Sequence, residues 1–295
     1  MFMCMLQTGC GSTKTEPLKV EDITLVRENC FSCTFGGVKH SFIVDLPEDL
    51  DNAPLVVMLH GYGSSAEDFR TSVGFEKGAT PLGYAVVYVT GAPAPNDSTS
   101  ATGWNSTADP NGNKDTEFLV SLAEYLQKEY DLDKNRTYAV GFSNGAFMIH
   151  RLAMEAGDTF SALVSVSGMM QPEIWDKRSS SNNVSFFQIT GEKDDVVPKN
   201  SDGTAKYAKA PPIEDVMSYW VSSDGAALKE KICIGKGSVL TKYANSDESV
   251  QVWDLLVKNG GHSWCTEKLN GFDTNELILD FFEAQTMKGI QYVRT

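Results

Sequence analysis

The run Leu55-Val56-Val57-Met58-Leu59, directly after Pro54, constrains this chain more than any other stretch. A strand with one wet face alternates apolar and polar side chains. An unbroken apolar run must instead be buried on both faces, so this segment belongs inside a sheet covered by helices on either side. Similar runs recur at residues 84–90, 137–142, 162–166, 184–190 and 250–257. Residues 23–27 and 38–46 read as an antiparallel pair around the turn Phe35-Gly36-Gly37. Helical patterns occupy 65–79, 115–130, 144–156, 212–222 and 275–284. Strand and helix alternate, which argues a mostly parallel, doubly wound sheet with right-handed crossovers and helices on both faces.

At 295 residues the chain could divide in two, yet α/β sheets often hold about 250 residues around one core. The expectation is a leader or tether over residues 1–20 and a single α/β domain over 21–295. A formal charge of −14 repels polyanions and excludes nucleic acid as a natural partner. No stretch reaches the ~18 apolar residues of a membrane-spanning helix.

Two segments frame the possible chemistry. Gly141-Phe142-Ser143-Asn144-Gly145 is a G-x-S-x-G pattern between a predicted strand and a predicted helix. The strand must turn sharply into the helix with the serine hydroxyl exposed, and glycines on either side let the two elements approach without Cβ collisions. The helix start also turns free N–H groups and a positive dipole end toward a reacting oxygen. His60-Gly61-Tyr62-Gly63 leaves the strand 55–59 at the same sheet edge, and the amides of Tyr62 and Asn144 are the expected oxyanion donors. His60 reads as a loop brace, and His40 and His150 read as structural.

An acid and a base then follow in chain order. Asp194 lies just past the strand 184–190, and His262 follows the strand ending near Val257. His262 would take the Ser143 proton, with Asp194 holding its other nitrogen; the adjacent Asp195 could substitute. Trp104 and Trp264 are candidate aromatic walls for substrate, although each would equally serve to pack its own loop. Asp115 reads as a cap on the helix it precedes.

Taken together, Pro54–Phe69, Gly103-Trp104-Asn105, Asp115-Thr116-Glu117-Phe118, Arg136–Ala146, Gly191–Pro198 and Gly260–Trp264 resemble the α/β-hydrolase superfamily. More narrowly, they resemble the secreted esterases grouped with polyhydroxybutyrate depolymerases and feruloyl esterases. The resemblance implies the α/β-hydrolase fold, Ser143 as nucleophile, Asp194 as acid and His262 as base. It also implies a serine carboxylesterase acting on feruloyl or acetyl esters attached to plant cell-wall polysaccharide, or on small-molecule esters, with no cofactor and no metal. Family members often follow His-x-Trp with Pro-Gly, whereas this chain has Cys265-Thr266. Two alternatives stand beside this reading: a depolymerase of short-chain polyhydroxyalkanoates, and a non-catalytic binding protein on a hydrolase scaffold.

Gly9-Cys10, after a short apolar start and before a polar run, resembles the lipid-accepting end of a bacterial lipoprotein signal, although Gln7 departs from that pattern. The expectation is a secreted or cell-surface protein with a lipid anchor at Cys10. In an oxidising compartment a bridge between Cys233 and Cys265 is expected, with a local bridge permitted between Cys30 and Cys33. Four dispersed histidines and scattered cysteines do not make a metal set.

Overall fold

The computed structural model describes residues 17–95, 98–179, 184–200, 209–283 and 285. The expected anchor at Cys10 lies outside them. Among the described residues eleven strands form one sheet: β1 Glu21–Arg27, β2 Cys30–Phe35, β3 Val38–Asp45, β4 Leu55–Leu59, β5 Ala85–Thr90, β6 Thr137–Phe142, β7 Ala162–Val166, β8 Ser185–Gly191, β9 Ala227–Ile234, β10 Ser238–Ala244 and β11 Gln251–Val257. The helices are α1 Ala66–Val73, α2 Glu76–Ala79, α3 Asp115–Glu129, α4 Asn144–Glu155, α5 Pro172–Trp175, α6 Ile213–Ser223, α7 Glu267–Asn270 and α8 Thr274–Glu283.

The strand order is β1-β2-β3-β5-β4-β6-β7-β8-β11-β10-β9. The block from β5 to β11 is parallel throughout, with antiparallel strands at both edges. β4 shows why the apolar run is unbroken. Leu55, Val57 and Leu59 enter one core with residues of α3, α4 and α6, while Val56 and Met58 enter a second core with residues of α1, α2 and α8.

The predicted helix 65–79 is two helices. The Ser65 side chain accepts from the Asp68 amide at the start of α1, and Gly74 closes it with a left-handed φ of 58° that a regular helix cannot continue through. Three strands escape the sequence patterns. The turn Gly36-Gly37 joins β2 to β3 rather than β1 to β3, and the hairpin β9–β10 extends the far edge. Most of β9 is exposed, so no burial period marks it.

The expected Cys233–Cys265 bridge is absent, and both thiols are free. On β9 the neighbours Ile232 and Ile234 pack toward the core that contains Cys265, so strand alternation turns Cys233 to the opposite, solvent-exposed side. The same alternation separates Cys30 and Cys33. Three positions apart on β2, they face different cores, and neither is bridged.

Candidate active site

Ser143, Asp194, His262 and the His60 loop all emerge at the carboxyl edge of the parallel block, following β6, β8, β11 and β4 respectively. That edge is where open α/β sheets place their binding crevices. Ser143 holds φ 53° and ψ −117°, a strained conformation for a residue with a side chain, and its N–H donates to the Val166 carbonyl at 3.0 Å. The flanking glycines are steric necessities. A Cβ on Gly141 would lie 2.2 Å from the Gly145 carbonyl oxygen.

Around this turn the three side chains form a hydrogen-bonded chain. Ser143 Oγ lies 2.9 Å from His262 Nε2, and His262 Nδ1 lies 2.8 Å from Asp194 Oδ2. With Nδ1–H donating to the carboxylate, Nε2 is left to accept from the serine hydroxyl. The other carboxylate oxygen of Asp194 accepts from the amides of Val196 and Val197 at 3.0 and 2.8 Å. Burial pushes the Asp194 carboxyl up. The hydrogen bond from His262 and those from the two amides together outweigh burial and hold it below the usual range. The Asp194 side chain is fully buried, whereas Asp195 is exposed.

The two loops that carry Asp194 and His262 are tied to each other. The Lys193 amide donates to the Gly260 carbonyl at 2.7 Å, and the Asn259 amide donates to the Glu192 carboxylate at 2.9 Å.

The oxyanion candidates sit beside the serine. A Cβ on Gly61 would meet the Ser143 Cβ at 3.3 Å, so the backbone at Gly61 runs beside the serine turn. Asn144 opens α4, where the first N–H groups have no intrahelical acceptor. His60 is buried: its Nδ1–H donates to the Gly61 carbonyl at 2.6 Å, and its Nε2 accepts from the Gly91 amide at 3.0 Å. Burial pushes its pKa down, against the hydrogen bond to Gly61 and the charge of Asp68. It braces the loop.

Two hollows meet at Tyr62 and Asn144. A cleft of about 690 Å³ contains Ser143 and His262 between Phe69, Phe142, Phe147 and Val197. A groove of about 340 Å³ lies on the other side of Tyr62, with a mixed lining in which Asn105, Thr107 and Asn111 stand beside Ala94, Pro95 and Ala101.

Trp104 contributes to the groove but is 6% exposed, and its indole N–H donates to the His60 carbonyl at 2.9 Å. Trp264 is not among the residues lining the cleft. Its indole N–H donates to Asn275 Oδ1, and its ring stands edge-on to Phe69 at 5.7 Å and Phe142 at 6.3 Å, so it backs the wall that those rings form. The aromatic wall beside the serine therefore comes from Phe69, Phe142 and Phe147. The adjacency of Phe142 to Ser143 and the four-residue step to Phe147 on α4 would have pointed to two of them.

Asp115 does not cap α3 through its side chain. Its carboxylate instead accepts from the Asn105 amide at 2.7 Å. Among the described residues no group of three or more His, Cys, Asp or Glu side chains is arranged to hold a metal, and no helix is long and apolar enough to cross a membrane.

A family model described as Esterase PHB depolymerase matches residues 40–197. The chain is 27% identical over 241 residues to the putative esterase NocK of Nocardia uniformis subsp. tsuyamanensis, a match covering 74% of this chain and 67% of that protein. It is 27% identical over 241 residues to the bifunctional acetylxylan esterase/xylanase XynS20E of Neocallimastix patriciarum, covering 75% of this chain and 33% of that one. It is 29% identical over 148 residues to feruloyl esterase B of Talaromyces funiculosus, covering 50% and 40%. The chain thus spans about two thirds of the first relative and well under half of the other two. Among solved structures, an acetyl xylan esterase from Aspergillus awamori superposes with a TM-score of 0.60 at 14% identity, covering 82% of this chain and 93% of that one. A Bacillus cereus carboxylesterase superposes with a TM-score of 0.54 at 16% identity, covering 81% and 93%. These two likenesses show a shared α/β-hydrolase fold.

Proposed function

Because the chain belongs to the esterase PHB depolymerase family, its chemistry is that of an ester hydrolase, and we propose that it works through an acyl-enzyme on Ser143. The observation that carries this reading is the unbroken chain Ser143–His262–Asp194, with spacings of 2.9 and 2.8 Å. His262 Nε2 removes the hydroxyl proton as Ser143 Oγ attacks the ester carbonyl. The imidazolium so formed stays paired with the Asp194 carboxylate. The carbonyl oxygen, now negative, accepts hydrogen bonds from the amides of Tyr62 and Asn144. His262 then returns the proton to the departing alcohol, and water repeats the sequence on the acyl-enzyme.

The proposed substrates are feruloyl or acetyl esters of plant cell-wall polysaccharide, cleaved by the single catalytic domain expected over residues 21–295. The apolar cleft of Phe69, Phe142 and Phe147 suits an acyl group. The groove beyond Tyr62, with Asn105, Thr107 and Asn111 in its lining, suits a hydroxyl-rich neighbour and offers Asp109 but no cation to an anionic one. The names of the acetylxylan and feruloyl esterase relatives support the same substrate class. Polyester is the second reading, favoured by the apolar character of the cleft and by the family's own description. A polymeric plant substrate lies outside the cell, in keeping with the expected export and anchor at Cys10; complete recovery of the protein in the aqueous phase of a detergent partition would refute that anchor.

The test is a panel of p-nitrophenyl acetate and butyrate, methyl ferulate, acetylated xylan and a polyester emulsion, run with the native protein and Ser143→Ala. Ser143→Ala is expected to lower turnover by about three orders of magnitude or more on every substrate cleaved. Turnover near the native value in that variant overturns the mechanism, and faster cleavage of polyester than of acetylated xylan or methyl ferulate replaces the substrate reading.

A further inference from the structure

We propose that the buried carboxylate of Asp115 is a positioning residue for the oxyanion site, acting through a strap formed by residues 102–105. The inference rests on the reading that the Tyr62 and Asn144 amides receive the oxyanion. These donors belong to two loops separated by 82 positions in sequence, packed backbone to backbone where β4 and β6 end.

The strap joins them. Toward the Tyr62 loop, the Thr102 carbonyl accepts from the Gly63 amide at 2.7 Å, the Thr102 hydroxyl donates to the Ser64 carbonyl, and the Trp104 indole donates to the His60 carbonyl at 2.9 Å. Toward the serine turn, the Trp104 amide donates to Asn144 Oδ1 at 2.8 Å, and Asn144 Nδ2 donates back to the Trp104 carbonyl at 3.4 Å. The side chain of Asn144 thus ties the peptide that begins α4 to the strap.

Asp115 anchors the far end. It is fully buried, and its Oδ2 accepts from the amide of Asn105, the residue immediately after Trp104, at 2.7 Å. The carbonyl of Asn105 accepts from Arg151 on α4, and Arg151 is itself held by Glu155 at 2.7 Å. The Asn105 residue is therefore clamped at both its N–H and its C=O, one by the start of α3 and the other by the helix that carries the serine turn. Burying a carboxylate for a single amide is costly, and Oδ1 has no partner among the described residues. Asn or Gln would fill a purely structural role at lower cost. An ionised acceptor makes the stronger hydrogen bond and so fixes the strap more rigidly.

The test uses phenylboronic acid as a tetrahedral probe. Boron accepts the Ser143 Oγ pair, the hydroxyl proton moves to His262, and a boron-bound oxygen takes the oxyanion position. Asp115→Ala and Asn144→Ala are each expected to weaken phenylboronate binding and to lower kcat for p-nitrophenyl acetate by about ten- to a hundredfold, the scale of a small misplacement of catalytic groups, with KM changed less than about threefold. Asp115→Asn, which retains a neutral and therefore weaker acceptor for the Asn105 amide, is expected to recover part of both losses. Asn144→Ala keeps the backbone amide and reports on the strap even if Asp115→Ala does not fold. Native phenylboronate affinity and kcat in Asn144→Ala, or in a folded Asp115→Ala, overturn the proposal. Ser143→Ala serves as the separate control: if it binds the probe as tightly as the native protein, the acyl-enzyme reading fails instead.

Discussion

A Cβ placed on Gly145 would lie 2.2 Å from the carbonyl oxygen of Leu59, so α4 begins in direct backbone contact with the end of β4. This contact sets the distance between the serine turn and the loop carrying Tyr62. A methyl group at that position must push one of the two away. Gly145→Ala is expected to destabilise the fold by about 3 kcal/mol or more and to abolish esterase turnover in whatever folds. Thermal unfolding and p-nitrophenyl acetate hydrolysis check this, and a native-like transition with native turnover would show that the backbones can separate without harm.

The two adjacent carboxylates are expected to behave very differently. Asp194 receives hydrogen bonds from His262, Val196 and Val197, whereas Asp195 faces solvent. Asp194→Asn replaces the acceptor by an amide that favours the wrong imidazole tautomer, and turnover is expected to fall by about three to four orders of magnitude. Asp195→Asn should stay within about twofold of native. Equal effects from the two substitutions would contradict the arrangement.

Acid lability should be traceable to two buried histidines that take no part in the chemistry. Burial pushes His40 down to about 4, against a hydrogen bond to Thr90, and pushes His150 down to about 3, against one to Gln188. As pH falls below about 6.5, the unfolded chain takes up protons that the folded chain refuses, so stability declines by about 1.4 kcal/mol per pH unit per histidine until the folded-state values are reached. Replacing His150 with Gln is expected to flatten the stability profile between pH 6.5 and 4. Denaturant titrations at a series of pH values measure it, and an unchanged slope would assign the acid limb to other groups.

The cysteines provide a chemical check on the strand assignment. Cys233 is exposed and should alkylate rapidly in the folded protein without reductant, while the buried Cys33 and Cys265 should alkylate only after unfolding. Burial pushes both of the latter thiols up to about 11, which further suppresses the reactive thiolate. Peptide mapping by mass spectrometry distinguishes the cases, and a linked Cys233–Cys265 peptide pair would refute the register of β9.

Much of the architecture could be read directly from the residues because the constraints involved are local. A strand buried on two faces cannot alternate, as in Leu55–Leu59, and a serine in a strand-to-helix turn needs small neighbours, as in Gly141 and Gly145. The chain order Ser143, Asp194, His262 follows from the same run of strand ends. Edges left little trace: β9 is mostly exposed and only Ile232 and Ile234 at its end pack toward a core, so burial imposed little pattern on it.

Other features depended on contacts between segments far apart in the chain. Asp194 and Asp195 are chemically identical, and they differ only because the loop after β8 is held against Gly260 and Asn259 with one carboxylate inward. Trp264 lies two positions from His262 yet backs the cleft wall, since Asn275 and Phe69 claim its indole. Asp115 stands at the start of α3 without capping it, and instead holds the peptide after Trp104. Local sequence specifies which groups are available and which backbone turns are sterically possible. Orientation and pairing come from packing, because the free energy of a buried polar group depends on whichever distant partner the fold brings within hydrogen-bonding reach.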